Sequence, residues 1–255
     1  MKISIITVAG VSSRFNRDIN EDKKVLKCLY TEGGREDTLL YHLMKKCSYA
    51  DRIVLVGGYK YDDLCSFYGN ELSEEFPDVS MIENEHYADL GSGYSLYLGI
   101  KEALKYAPDE ILFVEGDLDI DAGSFEKVIG SEQNVLTYSY EPIYANKAVV
   151  LYRNEQNEFR YAFNSSHGTL KIDEAFSLIL NSGQMWKFTN ADMLKAANDK
   201  FFKEEKDGTN LKIVQNYIDS LKSGDFELIG LSRWTNCNTR EDYRKILSYW
   251  EEEEK

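Results

Sequence analysis

The sequence predicts an α/β fold: a mixed, mostly parallel sheet flanked by helices, with a small antiparallel and helical insertion late in the chain. Three observations carry that expectation. Short apolar runs without polar alternation recur through roughly the first 140 residues, each followed by a segment of helical period; such runs are strands buried on both faces. Past residue 142 the pattern changes to runs that alternate apolar and polar residues, as antiparallel strands with one wet face do. The chain has 255 residues, 43% hydrophobic and 29% charged, the length and balance of one large globular domain with a substantial core.

The elements follow in order. "ISIITVA" (3–9) is a first strand, halted at Gly10 and followed by a loop with Ser12, Ser13 and Arg14. A helix is expected over "TLLYHLMKKC" (38–47), a strand at "RIVLVGG" (52–58), a helix over 60–72 and a strand at "VSMIENE" (79–85). The next helix, 92–107, places Leu96, Ile100, Ala103 and Leu104 on one face. "EILFVEGD" (110–117) is a strand, 124–130 a helix and "NVLTYSYE" (134–141) a strand. "KAVVLYR" (147–153) and "EFRYAF" (158–163) alternate around the turn-like "NEQN". Helices near 190–204 and 209–222, a strand "FELIGL" (226–231) and a helix over 239–254 complete the pattern. The expectation is a single domain, 1–255, with 142–225 as an insertion or lid.

Composition narrows the function classes. Lys and Arg number 30 against 44 Asp and Glu, for a net charge of −14, which argues against a surface that coats nucleic acid or an anionic membrane. Cys28, Cys47, Cys65 and Cys237 are scattered, with no C-x-x-C pair, so neither a zinc site nor a disulfide framework is expected. The N-terminal apolar run is short and leads into "SSRFNRDINEDKK", unlike a signal peptide. No apolar stretch approaches the ~20 residues that span a bilayer. A cytoplasmic protein without nucleic-acid or membrane partners is expected.

Open parallel sheets bind ligands at the carboxyl ends of their strands, which selects the loops after Ala9, Gly57, Glu85 and Glu115. In "AGVSSRF" the small residues Ala9, Gly10, Ser12 and Ser13 would let backbone N–H groups approach a polyphosphate, and Arg14 would fork onto its oxygens. Lys27, in "KKVLKCLY", offers a second cation. An ordinary strand-to-helix loop with surface charges has the same composition. Neither G-x-x-x-x-G-K-[ST] nor G-x-G-x-x-G is present. In "FVEGDLDID", Asp117 stands at the sheet's ligand edge, where a magnesium ion bridging to phosphate would need it. A calcium loop is excluded by Ala122 and Val128, which occupy the positions of its glycine and bidentate glutamate. Asp121 suits a helix N-cap. His42, His86 and His167 show no metal spacing; His42 fits a helix face and His167 a loop.

"ITVAGVSSRF" followed by "VLKCLY", then "VGGYKYDDL", "NEHYADLGSGYSLYLG", "VEGDLDI" and "WTNCNTREDYRK", resembles the ordered motifs of the bacterial sugar-phosphate nucleotidyltransferases, and the phosphocholine cytidylyltransferase branch more than the sugar branch. Residues 1–120 and 232–247 carry the likeness. It implies a Rossmann-like, nucleotide-diphospho-sugar transferase-like fold and transfer of CMP from CTP to a phosphocholine-like phosphate monoester or a phosphonate, with release of pyrophosphate and with Mg2+ as cofactor. Ala9, Gly10, Ser12, Ser13, Gly58, Tyr59, Gly91, Ser92, Tyr94 and Ser95 would bind the nucleotide, Tyr94 lying near the pyrimidine. Arg14 and Lys27 would be catalytic, Asp117 and Asn238 would hold metal, and Asp119, Tyr161 and Trp186 would bind the acceptor. Phe163, Tyr87 and an acid such as Asp173 or Glu174 are further candidates for an aromatic cage around a quaternary ammonium, though core packing is the stronger reading for most of these aromatics. The protein would act alone or as a homodimer.

Three departures from the family pattern stand out. Ser12 replaces its second glycine. Leu26 replaces the proline before the lysine, so Lys23 and Lys24 compete with Lys27. Asn236 and Asn238 replace two carboxylates, and an amide oxygen ligates magnesium without bringing charge. Alternative readings are a sugar-1-phosphate nucleotidyltransferase, a glycosyltransferase using "DLD" (117–119) as its metal site, and a nucleotide-binding regulator without catalysis.

Overall fold

A computed structural model describes residues 1–146, 148–163, 169–222 and 224–253. In chain order its principal elements are β1 (Lys2–Thr7), α1 (Leu39–Cys47), β2 (Arg52–Gly57), α2 (Tyr61–Phe67), β3 (Val79–Glu83), α3 (Ser92–Ala103), β4 (Glu110–Glu115), β5 (Leu118–Ile120), α4 (Ala122–Gly130), β6 (Asn134–Ser139), β7 (Val149–Asn154), β8 (Phe159–Phe163), β9 (Phe176–Phe188), α5 (Ala191–Glu204), α6 (Asn210–Ile218), β10 (Phe226–Leu231), β11 (Trp234–Asn236) and α7 (Arg240–Glu253).

The main sheet runs β10-β6-β9-β4-β1-β2-β3, with β7 joined to β9 and β8 to β7. Its parallel pairs are β1–β2, β1–β4, β2–β3 and β6–β10, whereas β9 runs antiparallel to both β4 and β6. The architecture expected from the buried apolar runs is present. In β1, Ile3 and Ile5 pack on one side of the sheet with α3, α5 and α6, while Ile6 packs on the other with α1 and α7. A strand with both faces covered has no reason to alternate; each such side chain contributes roughly 2–3 kcal/mol by leaving water.

Two caps close helices as expected. The Thr38 hydroxyl accepts from the Tyr41 N–H at 3.2 Å, and Asp121 accepts from the Ser124 N–H at 2.8 Å. Among the described residues no helix is long and apolar enough to cross a membrane.

Residues 142–225 differ from the expected insertion or lid. Strand β9, which the sequence reading passes over, fills the centre of the sheet between β4 and β6, and α5 and α6 pack with α3 on one core. Only the β7–β8 pair lies off the main strand order. The strand passes through "NSGQ" (181–184) in a bulge: Tyr138 faces Ser182 and Leu136 faces Trp186, so two steps along β6 match four along β9.

Candidate nucleotide and metal site

The strand order turns back at β1. From there β2 and β3 lie to one side and β4 to the other, which makes the carboxyl ends of β1 and β4 the topological switch point. Thr7 and Glu115 are paired there. The two chains leave the sheet almost in contact: the Gly116 N–H donates to the Thr7 carbonyl at 3.0 Å. A Cβ on Gly116 would sit 2.3 Å from Val8 Cγ1, so only glycine fits at this approach. A cleft of about 240 Å³ opens above it.

One wall of the cleft is the first loop. Ser12, where the family pattern has glycine, adopts the left-handed φ of 53°. Its hydroxyl accepts the Lys27 N–H at 3.2 Å and its carbonyl accepts the Asn16 N–H at 2.9 Å. The buried Asn16 amide in turn clips Val25 by both its donor and its acceptor, at 2.8 and 3.1 Å. The serine thus costs backbone strain and returns a contact that glycine cannot make. Leu26 holds a φ of −72°, the value that proline would fix, so the lysine presentation survives the substitution. Lys24 is paired with Glu21 at 2.5 Å and Lys23 is exposed. Lys27 is the lysine that faces the cleft.

Lys27 Nζ lies 2.5 Å from Asp117 Oδ2, with both side chains about four-fifths buried. Cys237 N–H donates to the Asp117 carbonyl at 2.7 Å, and the exposed Arg14 donates from Nη2 to Asn238 Oδ1 at 2.6 Å. Arg14, Lys27, Asp117 and the 236–238 segment therefore meet, from three separate parts of the chain.

The opposite wall holds a carboxylate for which the sequence assigned no role. Glu115 Oε1 accepts from Asn210 Nδ2 at 2.6 Å and Oε2 accepts from Gln184 Nε2 at 3.0 Å. Burial, then the nearby Asp117 charge, push its carboxyl up to about 7. Gln184 reaches it from the β9 bulge, at a left-handed φ of 54°. Glu115 was readable as a strand-end acid in "VEGD"; Asn210 and Gln184 carried no local signal, because their roles depend on tertiary placement.

A magnesium ion demands oxygen ligands. Asp117 Oδ1 and Asn236 Oδ1 are both buried without a hydrogen-bond partner, and Asn236 neighbours the Asp117 loop through the antiparallel β5–β11 pairing. These oxygens fit a hard divalent cation. The side-chain oxygen of Asn238, the other residue expected to hold metal, accepts from Arg14. Among the described residues no three of His, Cys, Asp or Glu gather as a metal-binding group.

Residues 23–250 match the family described as a domain of unknown function, DUF6564. The chain belongs to that family. No curated protein matches it. Its fold is similar to that of the inositol-1-phosphate CTP transferase from T. maritima (TM-score 0.67, 17% identity, 97% of this chain and 95% of that one). It is also similar to CTP:phosphocholine cytidylyltransferase from Streptococcus pneumoniae (TM-score 0.62, 15% identity, 98% and 99%) and to HddC from Yersinia pseudotuberculosis (TM-score 0.63, 18% identity, 98% and 100%). The nucleotide-diphospho-sugar transferase-like fold expected from the motifs is therefore shown.

The remaining expected residues of this DUF6564 chain divide clearly. Ala9, Gly10, Gly91, Ser92 and Ser95 line the cleft, joined by Asn84, Tyr87 and Leu90. Asn84, 1% exposed, donates to Ser95 Oγ at 2.9 Å. Tyr94 does not line the cleft; its ring packs against His86 and Tyr97, with centroids 5.4 and 5.5 Å away. Adjacent helical residues diverge by about 100°, so Tyr94 and Ser95 cannot face one ligand alike. Gly58 and Tyr59 brace the loop from behind. A Cβ on Gly58 would lie 2.6 Å from Tyr87 Cβ, and the Tyr59 N–H donates to the Ala9 carbonyl at 3.1 Å. Ser13 is exposed outside the cleft lining.

The three acceptor candidates are corrected. Asp119 is buried and pairs with Arg233 at 3.0 Å and Lys46 at 3.4 Å, while accepting from Trp250 Nε1 at 2.9 Å. It clamps α1, the β10–β11 turn and α7 together. Trp186 is fully buried, stacked on Phe113 at 5.1 Å, and donates to the Tyr161 hydroxyl at 2.7 Å. Burial raises the Tyr161 phenol well above its ordinary value. Both rings are core. Phe163 packs on the same core, and Glu174 accepts from the Tyr152 hydroxyl at 2.6 Å; of the aromatic cage candidates, Tyr87 alone lines the cleft. His42 stacks on Trp250 at 3.5 Å, and burial pushes its imidazole down to about 4. His167 lies outside the described residues.

Proposed function

We propose that the chain is a nucleotidyltransferase that moves CMP from CTP to a phosphocholine-like phosphate monoester or a phosphonate, releasing pyrophosphate. The observation that carries this reading is the Lys27–Asp117 pair beneath the Gly10–Arg14 loop, at the switch point of the sheet. Two of the solved structures with similar folds are named as CTP-using transferases, which supports the choice of nucleotide.

The chemistry suits these residues. A phosphate monoester has a second pKa of about 6 and is already largely dianionic at neutral pH, so its oxygen attacks the α-phosphorus without a general base. One P–O bond forms to the acceptor as the bond to the β-phosphate oxygen breaks, and pyrophosphate takes the electron pair. The obstacle is repulsion between two polyanions, which fixed cations and alignment overcome. Arg14 and Lys27 place positive charge beside the phosphates, while Gly10 and Ser12 bring backbone close to them. Asn84 and Ser95 present polar groups, and Tyr87 and Leu90 an apolar wall, on the β3–α3 side of the cleft. A magnesium ion held by Asp117 and Asn236 would offset phosphate charge and order its oxygens.

Pyrophosphate release with each of the four NTPs, paired with phosphocholine, aminoethylphosphonate and sugar 1-phosphates, tests the reading. CTP with one of the first two acceptors is expected to turn over in the presence of magnesium. Absence of release with every CTP pair rejects it, and CTP binding without release favours the regulator reading instead.

A further inference from the structure

We infer that Glu115, at the end of β4, is the second carboxylate of the divalent-cation site, supplying the charge that the amides Asn236 and Asn238 do not bring. The inference deepens the nucleotidyl-transfer reading and takes from it only the presence of a cation near the phosphates.

Charge is the first argument. Glu115 and Asp117 line one cleft with Lys27, and Lys27 is engaged by Asp117. Among the described residues Glu115 has no ion-pair partner. A half-buried carboxylate without a counter-charge is costly, and such groups are kept where a cation joins them. Orientation is the second argument. Each Glu115 oxygen accepts one amide hydrogen, from Asn210 and from Gln184, so each retains a free lone pair. Amides orient a carboxylate without neutralising it, as the outer partners of metal ligands do. Third, the Gln184 amide is delivered from a β-bulge by a residue with a left-handed backbone, a strained conformation for a residue other than glycine. Finally, the buried oxygens of Asp117 and Asn236 that lack partners belong to the same loop pair, and with Glu115 they form an all-oxygen set suited to Mg2+ or Mn2+.

The test is Mn2+ binding to the full chain without nucleotide, read from the loss of the free-ion paramagnetic resonance signal up to millimolar metal. Glu115→Gln keeps the shape and removes the charge, and can still accept one of the two amide hydrogens; it is expected to weaken Mn2+ at least tenfold, as is Asp117→Asn. Gln184→Ala, which removes only an orienting partner, should weaken it about tenfold, and Asn238→Ala by less than twofold. Unfolding curves establish that each variant is folded. Glu115→Gln within twofold of wild type overturns the inference, as does undetectable Mn2+ binding by the wild-type chain. If that variant keeps its Mn2+ affinity but raises the KM of a cationic acceptor, Glu115 is an acceptor anchor and the inference fails. Because no substrate is present, intact Mn2+ binding with absent turnover would sink the proposed function and leave this site standing.

Discussion

Replacing Lys27 by methionine removes the cation from the ion pair of the cleft while keeping most of the length of the side chain. At 2.5 Å the gross attraction is on the order of 7 kcal/mol with an effective dielectric of ~20. Desolvation of both groups cancels most of it, so deleting one partner of a buried pair costs about 3 kcal/mol, chiefly through the carboxylate left behind. Each kcal/mol shifts the melting temperature of a chain this size by about 2–4 °C, so Lys27→Met should melt about 6–12 °C below wild type at neutral pH and low salt. The variant carries its own control. Excess Mg2+ supplies a cation to Asp117 and should raise the melting temperature of Lys27→Met by more than it raises that of wild type, restoring part of the loss. Nucleotide affinity should also fall about 10- to 100-fold, the value of one charged hydrogen bond. A variant that melts with wild type, ignores Mg2+ and binds CTP normally would refute the reasoning about this pair.

Other predictions address the corrected residues and the buried imidazole. Asp119→Asn breaks the clamp to Arg233 and Lys46 and should lower stability by about 3 kcal/mol in urea unfolding, without changing acceptor KM where the variant is folded. Trp186→Phe should cost about 2 kcal/mol, because it leaves the Tyr161 hydroxyl without its donor; steady-state kinetics should show an unchanged acceptor KM, whereas an aromatic-cage role requires an increase. For His42, the unfolded chain takes up a proton below about 6.5 but the folded chain only near 4. The unfolded state then binds more protons across that window, and stability falls as pH drops through it, by about 3 kcal/mol in all. His42→Phe should flatten this part of the stability–pH curve; a curve that matches wild type between pH 4 and 6.5 would remove His42 as the cause.

The fold was legible because its parallel strands are buried on both faces, and continuous apolar runs as short as "ISIIT" and "RIVLV" have few other uses. Helix starts at Thr38 and Asp121 were legible for a local reason, a side-chain acceptor reaching its own first turn. Strand β9 was not, because a bulge at 182–184 has the composition of a turn, and only pairing with β6 decides between them. In the site, Arg14 and Asp117 stand in loops at strand ends, where the sheet rule selects them, whereas Lys27, well past the end of β1, was named as a second cation and by the family resemblance. Trp186 and Tyr161 were misplaced because an aromatic that packs a core and one that cages an ammonium look alike in sequence. Asn210 and Gln184 act through Glu115, across 95 and 69 positions of chain, and nothing local marks such partners. Tyr94 and Ser95 illustrate a finer limit: the motif was placed correctly, but helical rotation turned one of the two neighbours away.

The most direct measurement is the rate of magnesium-dependent pyrophosphate release from CTP with a phosphocholine or aminoethylphosphonate acceptor, for wild type beside Asp117→Asn. The expected result is turnover by wild type and a loss of at least about 100-fold in a variant that remains folded. No release by wild type, or equal release by the two proteins, would contradict the assignment of this cleft to nucleotidyl transfer.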